Sequence, residues 1–248
     1  MKDKNVNYLL YNRGSATTAR QLATLLGLIP INSAERLKRK GGFPTVRYGN
    51  SGGEGLFTVD TVFNSPSIIK LCSNSVSFSR WAKENEIFSP EYLPFSKDYD
   101  KYPYFLRKAY HHGGLDIIPI ESPADLPTDL SGRYIVPFIE TDQEIRITVV
   151  NGNPVKVMKK VDGRLTGKFP IRSAYKGWHY TLITSGYDKA KEFVSTVSEK
   201  LGLKFGAFDL ARTADRRYVL WEVNTAPGLN SETIKLYADG LRSTLELI

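Results

Sequence analysis

Cysteine is almost missing from the chain: Cys72 is the single one among 248 residues. That excludes an intramolecular disulfide framework and a cysteine-based zinc site, and it fits a reducing, cytoplasmic setting. No run approaches the ~20 apolar residues that a membrane helix needs, so no membrane partner is expected. The opening MKDKNVNYLL lacks an apolar core followed by a cleavage site, and no signal peptide is read there. There is no internal repeat, no low-complexity tract, no Gly-x-x-x-x-Gly-Lys-Ser/Thr loop and no Ser/His/Asp nucleophile signature. RNA-binding aromatic signatures are missing as well. Acidic residues are outnumbered, giving a net charge of +8, which suits a nucleotide, an acidic substrate or nucleic acid. The densest basic run, Arg36-Leu37-Lys38-Arg39-Lys40, reads first as a solvated loop or helix end. With 41% hydrophobic and 24% charged residues, the composition is that of an ordinary soluble globular protein. The length allows one sizeable core or two to three small lobes.

The chemistry concentrates in 205–229, FGAFDLARTADRRYVLWEVNTAPGL. Two β patterns, Phe205–Ala211 and Tyr218–Asn224, flank the polar Arg212–Arg217, as in an antiparallel hairpin. Closure about Asp215-Arg216 sets Asp209 opposite Glu222, with Cβ atoms roughly 5 Å apart. Two carboxylates so placed repel each other unless a cation lies between them. Strict alternation puts Leu220, Glu222 and Asn224 on one face and Val219, Trp221 and Val223 on the other. Asn224 then adds a third hard oxygen. Mg²⁺ is typically held by one or two carboxylates together with substrate phosphates, so the hairpin reads as a metal–phosphate site.

An Asp on one strand, a Glu-x-Asn on the next and a following Pro-Gly (Asp209, Glu222, Asn224, Pro227-Gly228) resemble the ATP-grasp superfamily. The likeness is to its carboxylate–amine ligases of the ribosomal-S6-modification type. The resemblance spans about 74 to 229. It implies an α/β (α+β) ATP-grasp fold in which a small α/β domain precedes two lobes that clasp ATP. It also implies that Asp209, Glu222 and Asn224 hold magnesium, with Mn²⁺ as a substitute ion, against the ATP phosphates.

Taken in order, the chain divides into 1–73, 74–130 and 131–248. The first part carries a strand at Asn7–Tyr11 and a helix at Ala16–Leu26 with Ser15 as N-cap and Gly27 as stop. Strands follow at Thr45–Tyr48 and Ser67–Leu71. Strand, helix, strand suggests a parallel layer. Ligands gather at the carboxyl ends of such strands, which marks Arg13-Gly14-Ser15 and Gly49-Asn50-Ser51.

The second part opens on a helix at Ser75–Glu86, whose inner face is Val76, Phe78 or Ser79, Ala82 and Ile87. The resembling family often has a phosphate-binding Lys just before this helix; Ser75 stands there, and Lys70 and Arg80 are the candidate substitutes. The strand Tyr102–Lys108 leads into Ala109-Tyr110-His111-His112-Gly113-Gly114. A basic strand end before glycines suits a phosphate lid, since a cation offsets phosphate charge and glycine lets N–H groups come close. The resemblance assigns phosphate contact to Arg107, with Lys108 next, and it places His111, His112 and Gly113 on the lid.

The Pro- and Asp-rich 122–131 reads as a connection between lobes. By resemblance, Ile135–Ile139 is the hinge that binds adenine through backbone groups, with Val136, Pro137, Phe138 and Ile139 as the contacting residues. Pro137 has no N–H to donate; its carbonyl and the Ile139 N–H remain. In 144–150 alternation sends Glu144, Arg146 and Thr148 to one side and Ile145, Ile147 and Val149 to the other. The Glu144-x-Arg146 phrase matches the family's acidic-x-Arg pattern. It implies Glu144 at the nucleotide and Arg146 as a catalytic group at the developing oxyanion; a cross-strand ion pair is the plain alternative. Asn151-Gly152 is a hairpin turn, and Lys159-Lys160 ends the returning strand. FPIRSA (169–174) is similar to a family Phe-Arg-Ser-Asn phrase, with Ala174 in place of Asn and Arg172 as a second catalytic candidate. A helix at Tyr187–Leu201 carries packing only.

The implied activity is ATP-dependent carboxylate–amine ligation through an acyl phosphate, acting on small-molecule or peptide acids and amines. Two rivals stand beside it. One is an ATP-grasp kinase; the other, less favoured, is a basic nucleic-acid-binding module.

Overall fold

The computed structural model describes residues 7–40, 44–56, 63–110, 115–161, 171–172 and 177–245. His111, His112 and Gly113 lie outside the described residues, as do Ser173 and Ala174.

The amino-terminal layer is a parallel sheet of β1 (Tyr8–Tyr11), β2 (Ile29–Ile31) and β3 (Pro44–Tyr48) in the order β2-β1-β3. Helix α1 (Ala16–Leu26) buries Ala19, Leu22 and Ala23 and ends at Gly27, whose φ of 68° needs no Cβ penalty. Ser15 makes no side-chain capping bond; the short 3₁₀ turn Arg13–Ser15 is capped instead by Asn12, whose Oδ1 accepts from the Ser15 N–H at 3.1 Å. Helix α2 (Ala34–Arg39), capped by Ser33, escaped the sequence reading. It buries Leu37 and exposes Arg36, Lys38, Arg39 and Lys40, so the basic run is a solvated helix end. The expected strand over Ser67–Leu71 is helix α3 (Pro66–Ser73). Adjacent Ile68 and Ile69 suggest a strand, but Ser65 at the N-cap and Pro66 in the first turn decide for helix.

Helix α4 (Ser75–Glu84), capped by Asn74, buries Phe78, Ser79 and Ala82, much as its spacing predicts. A four-stranded antiparallel sheet follows: β4 (Leu93–Pro94), β5 (Tyr104–Lys108), β6 (Ile118–Ile120) and β7 (Arg133–Pro137) in the order β4-β7-β5-β6. Tyr104, Leu106, Ile120 and Ile135 form its core. The stretch 122–131 therefore leads back into this sheet through β7, and the crossing to the next sheet comes after Pro137.

The second antiparallel sheet has five strands: β8 (Gln143–Val150), β9 (Asn153–Val161), β10 (His179–Ile183), β11 (Phe205–Arg212) and β12 (Tyr218–Asn224), ordered β10-β9-β8-β11-β12. One face is apolar. Ile145, Ile147, Val149, Val157, Phe208 and Leu210 pack there against Ala190, Val194, Val197 and Leu201 of α5 (Asp188–Leu201). Phe78 and Ala82 of α4 join the same core, and Ile68, Leu71 and Cys72 of α3 pack against it. The last helix, α6 (Ser231–Leu245), packs Ile234, Tyr237, Ala238 and Leu241 against Leu9, Tyr11, Val46 and Tyr48, which ties the amino-terminal layer to the second sheet. Asn64 pins the same junction. Its amide bonds the Phe205 carbonyl at 2.7 Å and the N–H groups of Lys204 and Phe205 at 3.0 and 3.3 Å.

Candidate functional site: a carboxylate row facing a basic strand

Asp209 does pair with Glu222 across β11 and β12, but not by the expected route. Arg212 pairs with Tyr218, which centres the turn on Asp215, and the register shifts by one between Asp209 and Leu210. Trp221 is the extra residue, a β-bulge. The bulge corrects the expected faces: Leu220 and Val223 both join the core, instead of lying on opposite sides. Beyond it Glu222 and Asn224 project with Asp209 to the other face.

That polar face is laid out in rows. Lys156, Thr148, Ala207 and Asn224 align across β9, β8, β11 and β12. Next come Met158, Arg146, Asp209 and Glu222. Arg146 holds Asp209 with both arms, Nε to Oδ1 and Nη2 to Oδ2, each at 2.6 Å. Burial alone would lower the pKa of the Arg146 guanidinium, but the charge and hydrogen bonds of Asp209 prevail and the net shift is upward. In the third row Lys160 Nζ reaches Glu144 at 2.8 Å, and Arg172 meets Glu144 at 3.3 Å and the Thr141 hydroxyl at 3.2 Å. Glu144 is thus held by two cations. Lys159, opposite Ile145, projects to the other face.

Glu222 stands apart. It opens on solvent, yet protein surrounds it closely, and among the described residues it makes no hydrogen bond or ion pair. Burial raises its pKa first and Asp209 second, while Arg146, Arg107 and Lys160 pull the other way. The influence of Arg107 matters, because Arg107 lies on the other sheet. In β5 the residues Tyr104 and Leu106 face the core, so Phe105 and Arg107 project from the opposite face. Lys108 alternates away. It is exposed, its N–H donates to Asp116 at 2.9 Å, and its charge helps hold the Asp129 carboxyl below its usual value, after hydrogen bonds from Ser131. Arg107 thus lies on the face of β5 whose charge reaches Glu222, and Lys108 on the other.

The segment Val136–Ile139 is where the chain leaves the four-stranded sheet for the five-stranded one. Val136 pairs with Phe105 and is buried, and the rings of Phe105 and Phe138 meet edge to face at 5.8 Å. The Phe138 N–H already donates to the Pro103 carbonyl at 3.3 Å, whereas the Ile139 N–H has no acceptor among the described residues. The sequence reading missed Tyr180 on β10. Arg146 lies 4.6 Å from its ring centroid and Lys160 lies 5.7 Å away. Burial, then Asp209, drives the Tyr180 phenol upward in pKa. The aromatic and β-branched run HYTLI was the available signal. Tyr92 was missed too. Burial raises its phenol, and Arg107 and a hydrogen bond from Ser75 lower it. Ser75, in the position of the family's Lys, therefore sits beside Tyr92 near Arg107.

The donor set suits magnesium. Two carboxylates face each other on one side of a sheet, and one of them makes no ion pair among the described residues. The Asn224 Oδ1 accepts from the Ala226 N–H at 2.9 Å, which orients it and leaves a second lone pair.

No protein-family model matches the sequence, and no curated protein does. Solved structures do match, and they establish that the chain has the ATP-grasp fold. The D-alanine–D-alanine ligase of Bacillus anthracis superposes with a TM-score of 0.68 at 11% identity, covering 96% of this chain and 98% of that one. Its complex with ATP gives 0.67 at 12% identity over 98% and 94%. D-alanyl-alanine synthetase A of Vibrio cholerae O1 biovar eltor gives 0.67 at 13% identity over 98% of both chains. The ATP-grasp ligase PsnB complexed with minimal precursor gives 0.68 at 11% identity over 98% and 99%. PsnB with a phosphomimetic variant of that precursor, Mg and ADP gives 0.56 at 13% identity over 94% and 72%. No described helix is long and apolar enough to cross a membrane.

Proposed function

We propose that the chain is an ATP-dependent carboxylate–amine ligase, of the ribosomal-S6-modification type within its fold. One observation carries this reading: the row Arg146–Asp209–Glu222 lies on one sheet and Arg107, whose charge reaches Glu222, on the other, and we read the space between them as the nucleotide cleft. In that cleft Val136, Phe138 and Phe105 would wall the adenine. The Ile139 N–H and the Pro137 carbonyl would read its edge. Arg107 would anchor phosphate, and the resemblance assigns His111, His112 and Gly113 to the phosphate lid. Glu144, braced by Lys160 and Arg172, would orient the nucleotide rather than meet it as a free charge. Asp209, Glu222 and Asn224 would hold magnesium, which supplies Lewis acidity and alignment of the phosphates. Ligases of known structure with the same fold bind ATP, or Mg and ADP, in the complexes named above, which supports that assignment.

The substrate carboxylate oxygen attacks the γ-phosphorus, the bond to the β-phosphate bridge breaks, and ADP leaves. An amine nitrogen then adds to the acyl carbon, the C–O bond to phosphate breaks, and the departing phosphate takes up the amine proton, leaving an amide. Arg146 and Arg172 would steady the charge on the acyl oxygens, commonly worth a few kcal/mol. No protein nucleophile is required; catalysis rests on positioning and charge. The acid and the amine are small molecules or peptide groups.

The experiment is a screen of carboxylate and amine pools for ADP release, with mass analysis of the product. Ligation predicts ADP release that depends on both pools and an amide product. A stable phosphorylated product with no need of an amine would replace this reading by a kinase.

A further inference from the structure

The carboxylate expected to hold magnesium is already fully engaged. Both Asp209 oxygens accept from Arg146 at 2.6 Å, and both side chains are largely buried, about one fifth exposed. Across the strand Glu222 makes no ion pair among the described residues, so Arg146 is the cation nearest the repelling pair and relieves it. The guanidinium is supported from a third side by the Tyr180 ring at 4.6 Å.

We propose that Arg146 is the resident counter-cation of the metal site. It holds Asp209 while no nucleotide is bound and releases it when phosphate oxygens arrive, so that divalent metal enters with the nucleotide and not before. This rests on the reading of Asp209, Glu222 and Asn224 as metal ligands. The chemistry follows from the two cations. A guanidinium fork fits a carboxylate or a phosphate equally well, in the same bidentate manner, so the arriving nucleotide offers it a new partner. Magnesium gives up water reluctantly and relies on substrate phosphates to complete its shell. Without nucleotide the ion would have to displace a bidentate arginine with no phosphate oxygens in return. With nucleotide the exchange loses no charge pairing, and the Tyr180 ring keeps the guanidinium within reach of either partner.

The test uses Mn²⁺ alone, with binding read from loss of the aqueous Mn²⁺ electron paramagnetic resonance signal, and then Mn²⁺ with a non-hydrolysable ATP analogue. Without nucleotide, Arg146→Gln is expected to bind Mn²⁺ at least about tenfold more tightly than wild type. Adding Asp209→Asn to that variant removes the gain. Should Arg146→Gln not fold, Arg146→Lys keeps the charge but reaches one carboxylate oxygen only. It is expected to bind Mn²⁺ about threefold more tightly than wild type. Wild type itself decides as well: Mn²⁺ binding without nucleotide as tight as binding with the analogue overturns the proposal. So does an Arg146 variant that folds and binds no more tightly than wild type. The parent reading fails separately, if Asp209→Asn and Glu222→Gln leave Mn²⁺ binding in the presence of the analogue unchanged.

Discussion

Gly49 lies so close to Ala226 that a Cβ on it would sit 2.6 Å from the Ala226 Cβ. The same added carbon would stand 3.1 Å from Asn12 Nδ2, and the backbone there has a φ of 66°. Beside it the Tyr48 hydroxyl donates to the Pro227 carbonyl. The loop at the carboxyl end of β3 is therefore seated on the segment that directly follows Asn224. Gly49→Ala is expected to cost about 1–3 kcal/mol, from overpacking added to a strained φ. Gly55→Ala is the control, because its φ of 75° is as strained but nothing lies within 4 Å. Urea denaturation compares the two. Equal losses would mean that the contact with Ala226 contributes nothing. Amide exchange at Asn224 and Ala226 should quicken in Gly49→Ala alone.

Asp209 and Glu222 face each other, yet their removal should affect the fold differently. Asp209→Asn takes a bidentate partner from buried Arg146 and is expected to destabilise the chain by about 1–3 kcal/mol. Glu222→Gln removes a carboxylate that has no ion pair among the described residues and relieves repulsion at Asp209, so stability should hold or rise. Both substitutions should weaken Mg–ATP binding by about tenfold or more, since each removes a hard oxygen charge. Thermal melts and calorimetric titration with Mg–ATP separate the two effects. Intact Mg–ATP affinity in both variants would remove the metal-site assignment.

Arg107 and Lys108 are neighbours in sequence and sit on opposite faces of β5. Arg107→Ala should weaken ATP binding by about tenfold, the scale of a charge-assisted phosphate contact. Lys108→Ala should change it by less than about twofold, as expected of a solvated charge. Equal effects of the two would show that the lid, and not the strand face, selects the phosphate contact.

The Arg107–Lys108 pair also shows what the sequence could and could not reveal. Alternation along β8 correctly separates Glu144, Arg146 and Thr148 from Ile145, Ile147 and Val149, because a half-buried strand imposes period two. The Asp209–Glu222 pairing was legible for a similar reason, but the turn and the bulge each shift the register by one and their errors cancel. No periodicity announces a bulge, since Trp221 looks like any strand residue. The return of β7 into the four-stranded sheet was hidden by a Pro- and Asp-rich stretch that resembles a linker. Tyr180 went unread because its importance comes from Arg146 and Lys160 on other strands, a relation that exists only after folding.

Cys72 offers a test of the packing behind Glu222. It lines a narrow recess with Ser75, Phe78, Tyr92, Trp221 and Glu222. Burial, and then the charge of Glu222, pushes its thiol from 9.0 up to about 12. The neutral thiol is thus favoured in the fold, while the unfolded chain ionises at the ordinary value. Stability is unaffected by this group below about pH 9 and falls as pH rises from there toward 12. Reactivity follows the same sign, because the thiolate is the nucleophile. At pH 8 the native thiolate fraction is about a thousandfold below that of the unfolded chain, before any hindrance from the recess. Iodoacetamide labelling followed by mass spectrometry, native against urea-unfolded, measures this directly. Labelling of native Cys72 at a rate near that of the unfolded chain would contradict the packing of α3 against β12. Glu222→Gln should speed native labelling modestly by removing the second cause, and an unchanged rate would place Glu222 too far from the recess to act on it.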